Sequence, residues 1–190
     1  MIFAQAFIGL DPSVTHTGLV ILSPRGDILC QQAILSKPSK DGWRGQVRRE
    51  QKIVSQIKTV IDQTMKLHGM AVIFCEDYAP SRYAKSSIPT IELGGLLRAM
   101  LAMLPDTVEF VSPATLKQFA TGKGNSDKVA VAVALSKRFG VDFGGDDNIW
   151  DAYALSRLAL AVSGNLDGLT GMQIKIAEKL SNGDGIHAKL

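Results

Sequence analysis

Phe3-Ala4-Gln5-Ala6-Phe7-Ile8-Gly9-Leu10-Asp11-Pro12-Ser13 is a near-continuous apolar run that stops at a carboxylate and is then turned by proline and serine. The run reads as a buried strand, and Asp11 is left at its end. Thr17 to Ser23 is a second strand, Pro24-Arg25-Gly26-Asp27 a turn and Ile28 to Leu35 a third strand, so the first three elements make an antiparallel meander. From Gly45 to His68 the apolar residues Val47, Ile53, Val54, Ile57, Val60, Ile61 and Met65 recur at three- and four-residue intervals, with Gly69 as a stop signal. That is a long amphipathic helix with a basic amino-terminal half.

Ala71 to Cys75 is a short apolar run ending in Glu76, as expected of a central strand covered on both faces. A second carboxylate thus sits at a strand end. Residues 77–88 read as a polar loop and Ile91 to Leu104 as a helix. Val108 to Val111 reads as a strand, and Ser112-Pro113 as the cap and first residue of a short helix reaching Phe119. Thr121-Gly122-Lys123-Gly124-Asn125 is a turn, Ser126 is expected to cap a helix over 127–139, and a last core helix runs over 148–162. Three strands followed by alternating helices and strands predict an α/β domain with a mixed five-stranded central sheet flanked by helices. The catalytic domain is expected over 1–162, with 163–190 an extension, flexible or helical, that holds one weakly amphipathic segment at 172–180.

The 190 residues are 46% hydrophobic and 21% charged, an ordinary globular balance sufficient for one core. No apolar run approaches the roughly 20 residues that span a bilayer, and the first residues lack a basic n-region, so a cytoplasmic protein with no membrane partner is expected. Cys30 and Cys75 fall in core strands and read as small buried hydrophobes instead of a zinc site or disulfide. The net charge of +3 permits a polyanionic partner without establishing one. Its distribution says more: Arg44, Arg48, Arg49, Lys52 and Lys58 lie in one segment, and Lys117, Lys123 and Lys128 in another.

Asp11, Glu76 and the group Asp146, Asp147 and Asp151 are distant in sequence, yet each falls at the end of a core strand or the start of a core helix. Singly, each has a structural explanation as a turn starter, a solvated strand end or a favourable charge at a helix amino terminus. Gathered by a sheet, they would repel one another and hold their protons unless a divalent cation balanced them. Oxygen donors without cysteine or a suitably placed histidine point to Mg²⁺ or Mn²⁺, and two such ions about 4 Å apart are one arrangement for phosphodiester hydrolysis. His16 reads as a solvated turn residue, and Trp150 and Tyr153 as packing residues of the last helix.

Three segments resemble the motifs of RuvC-type Holliday junction resolvases of the RNase H superfamily. They are Phe7-Ile8-Gly9-Leu10-Asp11-Pro12-Ser13 with Thr17-Gly18, Phe74-Cys75-Glu76, and Asp147-Asn148-Ile149-Trp150-Asp151-Ala152. Pro113 to Lys128 is similar to the basic Gly-Lys-Gly-Asn segment of the phage-type members. The resemblance covers about residues 5–160 and implies an RNase H-like fold, a divalent-metal endonuclease, and a homodimer acting on four-way DNA junctions. By the same resemblance Asp11, Glu76 and Asp151 would hold two Mg²⁺ ions, with Mn²⁺ as a substitute. The fourth ligand would be Asp147 or, where the family usually places it, Asn148. The family's active-site cation would be Lys117, Lys123 or Lys128, with Lys123 and Lys128 favoured because Gly122 and Gly124 allow close phosphate approach. Tyr78 and Tyr83, among Arg82 and Lys85, would stack on unpaired bases, and Arg44 and Arg48 would add phosphate contacts. Gly94 and Gly95, costly inside a helix, fit close helix packing at the dimer interface. Alternatives are a flap or fork nuclease of the same fold and a junction-binding protein without activity. An actin-like or sugar-kinase ATPase would need a second domain and phosphate loop.

Overall fold

The computed structural model describes residues 5–77, 84–104 and 107–182. Its strands are β1 (Gln5–Asp11), β2 (His16–Leu22), β3 (Ile28–Leu35), β4 (Met70–Glu76) and β5 (Thr107–Val111). Its helices are α1 (Gly42–His68), α2 (Ala84–Leu101), α3 (Pro113–Thr121), α4 (Lys128–Phe139), α5 (Asp147–Val162) and α6 (Gly171–Ser181). The sheet order is β3-β2-β1-β4-β5, antiparallel across the meander and parallel from β1 to β4 and from β4 to β5. This is the mixed five-stranded α/β architecture expected from the element order.

Strand alternation divides the core in two. Ile8, Leu10, Ile73 and Cys75 face one way, against Ile53, Ile57 and Ile61 of α1 and Leu93, Leu97 and Leu101 of α2. Phe7, Val72 and Phe74 face the other way, against α3, α4, α5 and α6. Trp150 and Tyr153 are buried there as packing residues, the Trp150 indole N–H donating to the Gly144 carbonyl at 3.0 Å. By the same alternation Gly9, Asp11 and Glu76 fall on the α5 side of the sheet.

Several local expectations are corrected. α2 begins at Ala84 and closes at Leu101, displaced from the expected 91–104, because its leucine stripe packs on the sheet and carries the interior Pro89 with it. Asp127, not Ser126, caps α4: its carboxylate accepts from the Ala130 N–H at 2.7 Å, while the Ser126 hydroxyl pairs with Thr121 Oγ1. Cys75 is buried but Cys30, on the edge strand β3, is only half-buried; neither forms a disulfide. α6 opens with a reciprocal Thr170 and Gln173 capping box and sends Ile176 and Ala177 into the α5-side core.

Candidate active site

β1 and β4 run parallel with Leu10 opposite Cys75, so the next residues, Asp11 and Glu76, leave adjoining strands side by side. Both point to the face on which α5 lies. α5 reaches them because two strand glycines let it approach: a Cβ on Gly9 would stand 1.8 Å from the Ala152 carbonyl oxygen, and one on Gly18 2.1 Å from that of Asn148. Gly18 is also the residue paired with Asp11 across β1 and β2. The amino end of α5 is therefore seated over the end of β1, and Asn148 Nδ2 donates to Asp11 Oδ2 at 2.9 Å. Asp146 caps that helix by accepting from the Ile149 N–H at 3.2 Å. Its other carboxylate oxygen meets His16 Nε2 at 3.1 Å, tying the start of β2 to the same helix end, where a solvated histidine had been expected.

Electrostatics at this point are those of a buried group of acids that raise one another's pKa values. Burial is the largest cause raising the pKa of Asp11, with hydrogen bonds from Glu76 and Asn148 and the charge of Lys128 opposing it. Glu76 is pushed up to about 9, by burial first and then by the Asp11 charge, the proton it shares with Asp11 and the Asp151 charge. Asp151 is pushed up to about 6 by burial, Asp11 and Asp147, against Lys128 and Lys117. Thus Asp11, Glu76 and Asp151 act on one another directly, and Asp147 acts on Asp151 from the rim, where it pairs with Lys128 at 3.4 Å.

Of the expected cations, Lys117 and Lys128 face the carboxylates. Lys123 is exposed in the turn between α3 and α4, and its carbonyl accepts from the Thr121 and Ser126 hydroxyls. Tyr78, Arg82, Tyr83 and the side chain of Lys85 lie outside the described residues. Arg44 lies over the exposed Trp43 ring, 5.3 Å from its centroid, and Arg48 lines a groove beside α1. Gly94 borders a pocket of about 170 Å³ against Glu76, bounded by Pro12, Phe110 and Pro113. In its wall Arg98 stacks on Phe110 and reaches Asp77 at 2.6 Å. Sequence reasoning missed the packing role of Gly9 and Gly18, for which glycine inside a strand pattern was the available signal. It also missed the His16 to Asp146 and Arg98 to Asp77 pairs, which carry no local signature.

Among the described residues no three histidine, cysteine or carboxylate side chains close around one point tightly enough to cage a cation. Asp11, Glu76 and Asp151 are oxygen donors whose pKa values are raised by burial and by one another, and a hard divalent cation would balance their charge, so the donor set suits such an ion.

An acidic centre of this kind, at the carboxyl ends of neighbouring strands in an RNase H-like sheet, defines a class of metal-dependent nucleases. The family model for crossover junction endodeoxyribonuclease RuvC matches residues 7–161, and the chain belongs to that family. Its members depend on a divalent metal ion. The crossover junction endodeoxyribonucleases RuvC of Mycobacterium sp. strains KMS and JLS are each 25% identical over 133 residues, covering 68% of this chain and 68% of theirs. Among solved structures, T. thermophilus RuvC in complex with a Holliday junction substrate shares the fold with a TM-score of 0.65 at 18% identity, over 80% of this chain and 90% of that one. The yeast mitochondrial Holliday junction resolvase has a TM-score of 0.53 at 12% identity, over 92% and 81%.

Proposed function

We propose that this protein is a Mg²⁺-dependent endonuclease that binds four-way DNA junctions and resolves them with paired nicks, each made by adding water across a backbone P–O bond. The observation that carries the reading is the gathering of Asp11, Glu76 and Asp151 on adjoining elements, where burial and their mutual repulsion raise their pKa values, within a family of junction endonucleases. Asp11, Glu76 and Asp151 hold the metal, with Asp147 as fourth ligand. When bound, two divalent ions supply positive charge to the attacking and leaving oxygens. Asn148 keeps Asp11 oriented through its amide, alongside the hydrogen bond that Asp11 shares with Glu76. Lys117 and Lys128 flank the cluster and favour the approach of a phosphate.

A two-fold junction presents two strands, so paired cutting calls for two centres and hence a homodimer. The outer face of α2 supports that assembly: Ile88 and Ile91 are half exposed, and a Cβ on Gly95 would meet nothing within 4 Å in its own chain. No helix among the described residues is long and apolar enough to cross a membrane, and action on DNA accords with the cytoplasm of a bacterial or phage-infected cell.

The test is cleavage of a labelled synthetic four-way junction, with linear duplex and flap controls, by wild type and Asp11→Asn in Mg²⁺, Mn²⁺ and EDTA. Symmetric nicks by wild type in metal alone are expected. Equal cutting of linear duplex would overturn the substrate reading, and equal cutting by Asp11→Asn would overturn the site.

A further inference from the structure

The basic segment that begins α1 does not behave as one patch. Lys58 is spent on Asp62, four residues on, at 2.6 Å. Arg49 turns inward: its Nε donates to Ser36 Oγ at 2.6 Å, and its Nη2 to the carbonyls of Ser36, at 3.2 Å, and of Val14. Ser36 in turn donates its hydroxyl to the Val14 carbonyl at 2.8 Å and its N–H to the Thr15 carbonyl at 3.0 Å. Arg49 and Ser36 therefore lock the end of β3 and the start of α1 onto the turn that follows Asp11.

These locked elements form the walls of a groove of about 500 Å³. Arg48 and Lys52, one helical turn apart, line one side, and Lys37, from the segment after β3, lines the other. All three are exposed, and none forms an ion pair among the described residues. Asp41 is the carboxylate among the groove's lining residues, while Glu50 is buried and bound by Gln46 Nε2 at 2.6 Å. A concave surface carrying three uncommitted cations, joined by hydrogen bonds to the turn after Asp11, is complementary to a polyanion that also reaches the carboxylates.

We infer that this groove holds the phosphate backbone of one duplex arm of the branched DNA, with Lys37, Arg48 and Lys52 each meeting a phosphate while the carboxylates engage the strand to be cut. The inference rests on the nuclease reading for the identity of the polyanion. Backbone contacts carry no sequence information, so the groove sets how an arm lies on the protein and not which bases are read.

The experiment measures the salt dependence of binding to a labelled four-way junction in the non-cutting Asp11→Asn background. Adding Lys37→Ala, Arg48→Ala and Lys52→Ala is expected to lower the slope of log Kd against log salt by about 3, close to one per cation removed. Arg25→Ala with Lys66→Ala, exposed at the opposite end of the sheet, serves as control and is expected to leave the slope unchanged. A triple variant whose slope matches its parent's, or a control whose slope falls as much per residue, overturns the inference. Thermal unfolding of each variant checks that the fold is intact. Cutting by wild type is scored in parallel: if it fails, the nuclease reading fails, whereas the slope reports on the groove alone.

Discussion

Asp11, Glu76 and Asp151 give the folded chain a dependence on pH opposite to that of an ordinary salt-bridged acid. Each has a folded-state pKa above its unfolded one. Their contribution to stability is therefore fully present below about pH 4, where the unfolded groups are also protonated. It is lost as pH rises through about 6 for Asp151 and towards about 9 for Glu76. In EDTA the Tm should fall steadily between pH 5.5 and 8.5, and Mg²⁺ should restore more of it at the higher pH, because metal displaces protons. Asp11→Asn removes the charge that raises both neighbours. It should raise the metal-free Tm at pH 8 while lowering the cutting rate roughly a hundredfold or more, a magnitude typical of removing a group that stabilises transition-state charge. A Tm independent of pH in EDTA would count against the cluster as described.

At the scale of elements, the site depends on how closely α5 lies on β1 and β2. A side chain at Gly18 would collide with the Asn148 backbone, 2.1 Å from its carbonyl oxygen. Gly18→Ala therefore has to lift the amino end of α5, which carries Asn148 and Asp151 away from Asp11. Overpacking of this kind costs about 1–3 kcal/mol. The cutting rate measured well below the variant's Tm should fall even where the protein remains folded, and full activity at reduced Tm would show that the helix end moves without consequence. The elements themselves were largely legible in the sequence: Phe7 to Asp11 and Ala71 to Glu76 announce buried strands ending in carboxylates, and Ser112-Pro113 announces the start of α3. Helix α2 was legible only in part, because Pro89 argues locally for a break that the packing of Leu93, Leu97 and Leu101 overrides.

At the scale of the molecule, the family match ends at residue 161, yet the described chain continues into the same core. Gln173 of α6 donates to the Phe119 carbonyl at 2.8 Å, and Ile176 and Ala177 are buried with α5. Arg138 of α4 reaches Gln173 and donates to the Gly168 carbonyl at 3.0 Å, so α6 also ties down the segment before it. We propose that the folded unit extends through α6. Ending the chain after Ser163 should lower stability by on the order of 3 kcal/mol, the scale for losing one large buried aliphatic side chain, read as a lower denaturation midpoint in urea. An unchanged midpoint would show α6 to be an appendage.

The sequence alone determined the order and kind of the elements, the placing of Asp11 and Glu76 at strand ends, and the resemblance to the resolvases. All of these follow from periodicity and from residue types a few positions apart. Only the tertiary structure decided that Gly9 and Gly18 exist to admit a helix and that Asn148 holds Asp11 while Asp147 pairs with Lys128. It also decided that Lys117 and Lys128 face the carboxylates, and that the basic run in α1 divides into a spent Lys58, an inward Arg49 and an open groove. The physical reason is range. A strand or helix is encoded within a dozen residues, whereas a pKa or an ion pair is set by charges less than about 6 Å apart in space, and here those partners stand up to 140 positions apart, as Asp11 and Asp151 do.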